Sequence, residues 1–321
     1  MIKRTFPFPP YADGWFQVAW SKDLRPEQAI PLEYFGKQLV LFRTEAGKAV
    51  VLDAFCPHLG AHLGHGGVIK GETIECPFHA WTFNGEGVCT SVPYAKKIPP
   101  KAKLHPWIVK EVNGLIMVWH HALGEPPSWE VPVIDEYDSE EWTEYTTREW
   151  TVRTRNQEMA ENQVDSAHFR YLHGTVNQPE SVATANGPHF HVESNAVMTT
   201  PAGQVEGSIE TDSWGFGFST NRFRGIVQTL LVGSVTPTDE EHCHVRFSFM
   251  VQKLGGRTIT KGVGKAFIRE IERQLEQDIP IWENKVFFER PVLCDGDGPI
   301  AKFRRWCRQF YSMPVAELTE V

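Results

Sequence analysis

Two short segments each set a cysteine beside a histidine: Cys56-Pro57-His58 and, seventeen residues later, Cys76-Pro77-Phe78-His79. Two thiolates and two imidazoles suit a zinc ion or an iron–sulfur cluster. Zinc-finger spacings usually pair cysteine with cysteine and histidine with histidine. Here each segment offers one of each. That suits a [2Fe–2S] cluster in which one iron takes both thiolates and the other both imidazoles. Pro57, Pro77 and the glycines at 60, 64, 66 and 67 let the backbone bend tightly around the sulfurs. Zinc, or four buried residues meeting by chance, is the alternative.

Two absences refine the cluster reading. High-potential Rieske proteins of respiratory complexes carry an extra cysteine in each loop; the matching positions are Ala61 and Phe78. The hydroxyl that raises the potential there is missing too, since Ala80 and Trp81 follow His79. Fewer hydrogen bonds to the cluster sulfurs imply a lower potential. Such a donor suits O2 reduction at another metal better than taking electrons from a quinol.

A second set of donors lies in Asp165, His168 and His173. Asp165 and His168 share a helical face, but His173 is about 140° round an ideal helix from His168. A regular helix would keep the two imidazoles apart, whereas unwinding at Gly174 would bring them together. The alternative is a polar, solvated helix face. Asp278 falls on the apolar stripe Phe267, Ile271, Leu275, Trp282 and Val286 of a long helix. A carboxylate facing a core is costly unless paired or metal-bound. Pro280 predicts a local break that turns Asp278 inward. Two histidines and one carboxylate form the facial triad of non-haem Fe(II) oxygenases, with positions open for O2. Glu270, Glu272, Glu276 and Asp295 look like solvated charges. His189/His191 and His242/His244 each face one side of a strand, where surface or pocket roles are commoner than metal binding. Cys89, Cys243, Cys294 and Cys307 look like ordinary thiols.

These residues need elements to hold them. Residues 36–43, 48–53 and 114–119 are short apolar runs bounded by glycine, asparagine or charges, so a small antiparallel β domain fits residues from about 10 to 122. The proline-dense stretch 124–132 is its exit. Residues 156–173 read as helix, 189–253 as strands, and 262–289 as the clearest helix. Strands followed by a long terminal helix imply an α+β second domain. The division is residues 1–125 and 126–321. With 41% hydrophobic residues the chain can bury a substantial core. A net charge of −8 argues against nucleic acid as a partner. There is no secretory signal in the first ten residues, no run long enough for a membrane span, and six cysteines are too few for a disulfide scaffold. The expectation is a soluble, cytoplasmic protein.

Together the motifs resemble the Rieske non-haem iron oxygenases, over most of the chain. The similarity is closer to the steroid and sterol branch, the 3-ketosteroid 9α-hydroxylase oxygenase components and cholesterol 7-desaturases, through residues 57–67, 92–97, 278–285 and 297–306. The resemblance implies an N-terminal Rieske domain with its [2Fe–2S] cluster on Cys56, His58, Cys76 and His79. It implies a C-terminal START-like helix-grip catalytic domain with mononuclear Fe(II) on His168, His173 and Asp278. It also implies a head-to-tail homotrimer, in which Asp165 bridges the cluster of one subunit to the iron of the next. Electrons would come from NAD(P)H through a separate flavin-containing reductase, alone or with a ferredoxin, and O2 would be the co-substrate. This chain departs from the family in being somewhat shorter, in lacking the membrane segment usual in animal desaturases, and in carrying Ala80 for a common glycine, read as a minor packing change.

The implied activity is hydroxylation of a steroid or similar apolar molecule. Desaturation or oxidative demethylation would use the same metal sites. A Rieske electron carrier joined to a lipid-binding domain is the non-enzymatic alternative. The substrate cavity is expected to be apolar, lined by Trp214, Phe216, Phe218, Phe223, Ile226 and Leu230.

Overall fold

The computed structural model describes residues 6–200, 203–225, 227–253 and 257–312. Ile226 and the first five residues lie outside these. The chain divides into two compact units, Phe16–His120 with Thr238–Glu240, and the remainder. Among the described residues no helix is long and apolar enough to cross a membrane.

The first unit is built from short antiparallel strands, as alternating apolar runs punctuated by glycine dictate. They are β1 (Gly14–Trp20), β2 (Ala29–Tyr34), β3 (Lys37–Arg43), β4 (Ala49–Asp53), β5 (Val68–Lys70), β6 (Thr73–Glu75), β7 (Thr82–Asn84), β8 (Cys89–Ser91), β9 (Ile108–Val112) and β10 (Leu115–His120). Three sheets result, ordered β1-β10-β9, β2-β3-β4 and β5-β6-β7-β8. One core joins the last two sheets through Val40, Phe42, Leu52, Leu63, Ile74 and Phe83, and Cys56 and Cys76 are buried in it. The loops that carry these cysteines precede β5 and follow β6. The core therefore fixes both ends of the candidate cluster site.

The second unit holds β11 (Thr146–Val152), α1 (Asn156–Ala160), α2 (Ser166–Tyr171), β12 (Ser181–Asn186), β13 (His189–Thr200), β14 (Gly203–Trp214), β15 (Phe218–Arg224), β16 (Thr229–Pro237), β17 (Cys243–Val251), α3 (Arg257–Asn284) and α4 (Ile300–Cys307). Its strands form one antiparallel sheet, ordered β11-β17-β16-β15-β14-β13-β12. α3 lays Ile268 and Ile271 on Leu231, Phe249 and Val251 of that sheet. Further along, Leu275 and Trp282 pack with Val152 and Val245. Asp278 sits between these two turns on the same buried stripe.

Two expectations about helices are corrected. Residues 156–173 are not one helix: α1 passes into a 3-10 turn at Glu161–Val164, and the chain breaks at Asp165. The Asp165 carboxylate accepts from the N–H groups of Ala167 (3.2 Å) and His168 (3.3 Å), capping a new helix. Nor does Pro280 break α3, which runs through it and ends at Asn284 rather than 289. Pro280 is on the exposed side, where water can solvate the carbonyl left without a donor. Asn284 Nδ2 donates to the Pro280 carbonyl (2.8 Å) and closes the last turn. Asp278 faces inward because of the helical period alone.

α4 braces the 3-10 turn. Arg304 forks onto Glu161, with Nη2 2.8 Å from Oε1, and Phe303 packs edge-on against Phe190 at 5.3 Å. Just before α4, Gly298 has φ +71°, and a Cβ there would lie 2.5 Å from the Val164 carbonyl oxygen. Gly174 also has positive φ (+75°), but a Cβ there meets nothing within 4 Å. Gly174→Ala should therefore cost only the left-handed backbone penalty of about 1–2 kcal/mol. Gly298→Ala should cost about 1–3 kcal/mol more through the clash. It should also displace Val164–Ser166 and with it the cap that starts α2. Urea unfolding midpoints check the order, and equal midpoints for the two variants would refute it.

Candidate active site with two metal centres

The two cysteine–histidine loops share one hydrogen-bond pattern. Cys56 N–H donates to the Ala61 carbonyl (2.8 Å) and Gly60 N–H to the Cys56 carbonyl (2.9 Å); Cys76 N–H donates to Trp81 (2.8 Å) and Ala80 N–H to Cys76 (3.0 Å). Gly60 and Ala80 occupy equivalent positions, and both have positive φ, +76° and +56°. Ala80 is thus a backbone departure rather than a packing one: an alanine holds a left-handed position that glycine takes without cost.

The four donors fit a cluster. Cys56 and Cys76 are 2% and 3% exposed. Burial pushes the Cys56 thiol up to about 11, against a hydrogen bond from the His58 N–H and with Cys76 beside it raising it further. Such a thiol ionises near neutrality only against a positive centre. Nδ1 of His58 and Nδ1 of His79 are buried without a hydrogen-bond partner. Each such orphan costs about 1–3 kcal/mol, which an iron ligated there would remove. The two rings lie 4.6 Å apart at 74°. His58 stacks on Trp81 at 4.7 Å and 7°, and Trp81 Nε1 donates to the Tyr94 hydroxyl at 2.8 Å. Trp81 and Tyr94 therefore set the plane of one ligand. In the sequence Trp81 is distinguished only by lacking a hydroxyl.

In the second unit His168, His173 and Asp278 converge, with donor atoms all within 4.8 Å of one another. α2 ends at Tyr171, and Gly174 in the left-handed region turns the chain, as expected. His173 is thereby released from the helical period, and its ring comes to 5.0 Å from His168 at 78°. Its Nε2 lies 3.5 Å from Asp278 Oδ2. Both imidazoles have Nδ1 engaged elsewhere. That of His168 meets the Asp165 main-chain carbonyl, and that of His173 meets Gln277 Oε1 at 3.1 Å. Nε2 of His173 is left to face Asp278. Gln277, adjacent to the carboxylate in sequence, is a positioning residue that no motif announced.

Electrostatics favour a cation here. Burial pushes the His168 imidazole below its ordinary value, against the Asp165 carbonyl and the Asp278 charge. Burial acts on His173 in the same direction, but the Asp278 carboxylate outweighs it and holds that imidazole above its ordinary value. Asp278 is 7% exposed. A buried carboxylate with two imidazoles aimed at it has the chemistry of a divalent iron site.

The three donors line a cavity of about 210 Å³. Its lining is more mixed than expected. Phe216, Phe218 and Phe223 contribute as anticipated, but Trp214 and Leu230 do not. The reason is strand parity: β14 presents Ile209, Thr211 and Ser213, and β16 presents Leu231, Gly233 and Val235, so their neighbours face away. Polar side chains share the wall. Thr211 donates to Asn221 Oδ1 at 2.8 Å, and Ser213 to Gln163 Oε1 at 2.9 Å. Asn162 accepts from Trp282 Nε1 at 3.2 Å and ties α3 to the segment leading into Asp165.

The other candidates divide. His189 and His191 meet Asp212, a second group able to hold a metal. His244 pairs with Glu149 at 3.1 Å and is depressed to about 4, by burial first and then by Arg246. All six cysteines are free thiols. Glu272 is less solvated than expected: it is 17% exposed and paired with Arg148 at 2.8 Å.

Residues 14–107 match the Rieske [2Fe-2S] domain family, and residues 118–311 the 3-ketosteroid 9alpha-hydroxylase C-terminal domain family. A 3-ketosteroid-9-alpha-monooxygenase oxygenase component of Rhodococcus rhodochrous is 32% identical over 327 residues, covering 97% of this chain and 83% of that protein. A cholesterol 7-desaturase of Ciona intestinalis is 31% identical, covering 97% of this chain and 71% of that protein. Among solved structures, dicamba monooxygenase bound to dicamba superposes with a TM-score of 0.75 at 18% identity, covering 94% of this chain and 98% of that one. The NdmA QL mutant of Pseudomonas putida CBB5 with caffeine gives 0.76 at 20% identity, over 92% and 89%. These two likenesses concern the fold.

Iron counting separates the two groups of donors. Reconstituted protein should hold about three irons per chain, and His168→Ala about two, with the cluster's visible and EPR spectra intact. Unchanged iron in His168→Ala would overturn the assignment of His168.

Proposed function

The chain belongs to the 3-ketosteroid 9α-hydroxylase family of Rieske oxygenases, and from that premise we propose that it is the oxygenase component of a steroid-oxidising system. The observation that carries this reading is the convergent set His168, His173 and Asp278 opening onto one cavity. An electron carrier has no need of such a set.

When bound, the cluster on Cys56, His58, Cys76 and His79 supplies single electrons, and mononuclear iron on His168, His173 and Asp278 supplies O2 activation for oxidation of a C–H bond. The chain's own residues do the rest. Asp165 and Gln277 fix the two imidazole planes through their hydrogen bonds. Phe216, Phe218, Phe223 and Leu231 offer apolar wall to a hydrocarbon skeleton. Burying roughly 300 Å² of it would contribute about 7.5 kcal/mol before association costs. Asn221 already accepts from Thr211 through Oδ1, which leaves its amide N–H groups for a substrate oxygen. An apolar skeleton bearing a carbonyl fits this wall. Seven strands gripping α3 support a START-like helix-grip description of the second unit.

The finer reading is a homotrimer in which Asp165 receives a cluster imidazole from the neighbouring subunit. One oxygen of Asp165 is committed to capping α2, and the other is the one offered to that imidazole. Electrons come from NAD(P)H through a flavin-containing reductase, with or without a ferredoxin. Six free thiols suit a cytoplasmic setting. Desaturation is the second outcome, favoured by the likeness to a cholesterol 7-desaturase. It would depend on which C–H bond the cavity presents and on whether a second, neighbouring hydrogen is also removed.

Aerobic turnover with a generic reductase, NADH and a steroid panel tests the reading by mass spectrometry. Hydroxylation adds about 16 mass units and desaturation removes about 2. No product from any steroid, with the cluster still reduced by the reductase, would remove steroids as the substrate class. In a separate experiment, Asp165→Asn should keep both metal groups yet lose cluster oxidation in a single turnover. Rapid cluster oxidation in that variant would overturn the bridging role.

A further inference from the structure

Two imidazoles and a carboxylate also meet on the opposite face of the same sheet. Side chains alternate along β13, so that Ser194 lines the cavity while His189 and His191 point away from it. β14 alternates likewise: Thr211 and Ser213 line the cavity, and Asp212 lies on the far side with the histidines. Antiparallel register sets His191 directly across from Asp212. His189 Nε2 lies 2.7 Å and His191 Nδ1 2.9 Å from the same atom, Asp212 Oδ1. None of the three lines the cavity around Asp278.

The surroundings hold this group in place. His189 stacks on Trp214 at 4.8 Å and 19°, which fixes its ring plane. The second oxygen, Asp212 Oδ2, has Arg222 Nη1 at 3.5 Å. Arg222 in turn forks onto Glu136, with Nε 2.7 Å from Oε1 and Nη2 3.3 Å from Oε2. The two carboxylate oxygens of Asp212 are thus assigned different partners. Oδ2 is braced by a guanidinium whose charge Glu136 already balances, and Oδ1 is left to the imidazoles. With the imidazoles in the neutral form that ligates metals, Asp212, Glu136 and Arg222 sum to one negative charge. A dication would leave the site at one positive charge. The side chains are 33%, 28% and 11% exposed for His189, His191 and Asp212, so an ion can enter from solvent.

We propose that His189, His191 and Asp212 bind a divalent transition metal, with zinc as the matching ion, and that the bound ion clamps β13 to β14. Two imidazole nitrogens and one carboxylate oxygen select zinc over magnesium or calcium, which prefer all-oxygen ligands. Metal–ligand bonds of about 2.0–2.2 Å in a tetrahedral site place donor atoms about 3.3 Å apart. Each donor therefore opens by about half an ångström from its present hydrogen bond. Each imidazole moves its proton to its other nitrogen, His189 Nδ1 or His191 Nε2, where water takes the hydrogen bond. No net proton is released. Water completes the coordination. A bound ion replaces two hydrogen bonds with a cross-strand link between strands whose other face supplies Ser194, Thr211 and Ser213 to the cavity wall.

The test uses the protein with both iron centres loaded, equilibrated with low-micromolar zinc sulfate and read by elemental analysis after dialysis. Zinc should be retained at about one ion per chain in addition to the iron. His191→Ala and the near-isosteric Asp212→Asn should each weaken zinc retention at least about ten-fold. Zinc should raise the thermal unfolding midpoint of the parent protein and leave those of the two variants unmoved. His168→Ala should keep its zinc, which separates this group from zinc that has displaced iron, and so should His244→Ala, which separates it from the His242/His244 pair. Retention no greater in the parent than in Asp212→Asn, or retention lost in His168→Ala, would overturn the proposal.

Discussion

Asp278 is a carboxylate on the core-facing stripe of a long helix, where the helical period otherwise places Ile271, Leu275 and Trp282. An unpaired charge buried there would cost several kcal/mol. The fold is arranged around meeting that cost. α3 lies along the sheet so that the Asp278 turn faces α2 and its following residues. Asp165 stops the 3-10 turn and starts α2 at the point that aims His168 inward, and Gly174 ends α2 early enough for His173 to swing back. Arg304 on Glu161 and Trp282 on Asn162 hold the intervening segment. Each of these contacts is modest. Together they place two imidazoles where one carboxylate requires them.

The two metal-binding loops of the first unit meet a different constraint. There the cysteines are part of the hydrophobic core, and the loops repeat one hydrogen-bond pattern, with a left-handed residue four positions after each cysteine. The repeated pattern presents one thiol and one imidazole from each side. Core burial makes the Cys56 thiol hard to ionise, and two ring nitrogens are left without partners. Ligation of a metal centre by these residues would remove both penalties.

Much of this was legible in the residues because the ligands lie close together along the chain. Cys56, His58, Cys76 and His79 are fixed by loop spacing, and Gly174 beside His173 signalled the unwinding that brings that imidazole round. Asp278 was legible because one charge interrupts an apolar stripe. What escaped depends on details that spacing does not carry. Pro280 implied a break, but it falls on the solvated side of α3 and the helix continues. Residues 156–173 have helical composition throughout, yet the Asp165 side chain competes for backbone N–H groups and splits them. Gln277 and Trp81 act through contacts with one ring each, which no sequence period records. Ala80 reads as a packing change because the sequence shows the added methyl group and not the sign of φ.

The cavity lining shows how far one residue of register matters. Leu230 and Trp214 are apolar and lie in the right strands, and each is one place away from the residues that reach the cavity, Leu231 and Ser213. The same parity separates two sets of donors with identical chemistry. On one face of the sheet lie Ser194, Thr211 and Ser213, beside the His168/His173/Asp278 group that lines the cavity. On the other lie the half-buried His189 and His191 with the buried Asp212. Two histidines and an aspartate therefore do not identify an oxygen-activating centre by composition. The first group has a cavity in which a substrate can be held; the second has only the strands that carry it. The cavity, set by the pleat of β13 and β14 and by the stripe of α3, distinguishes them.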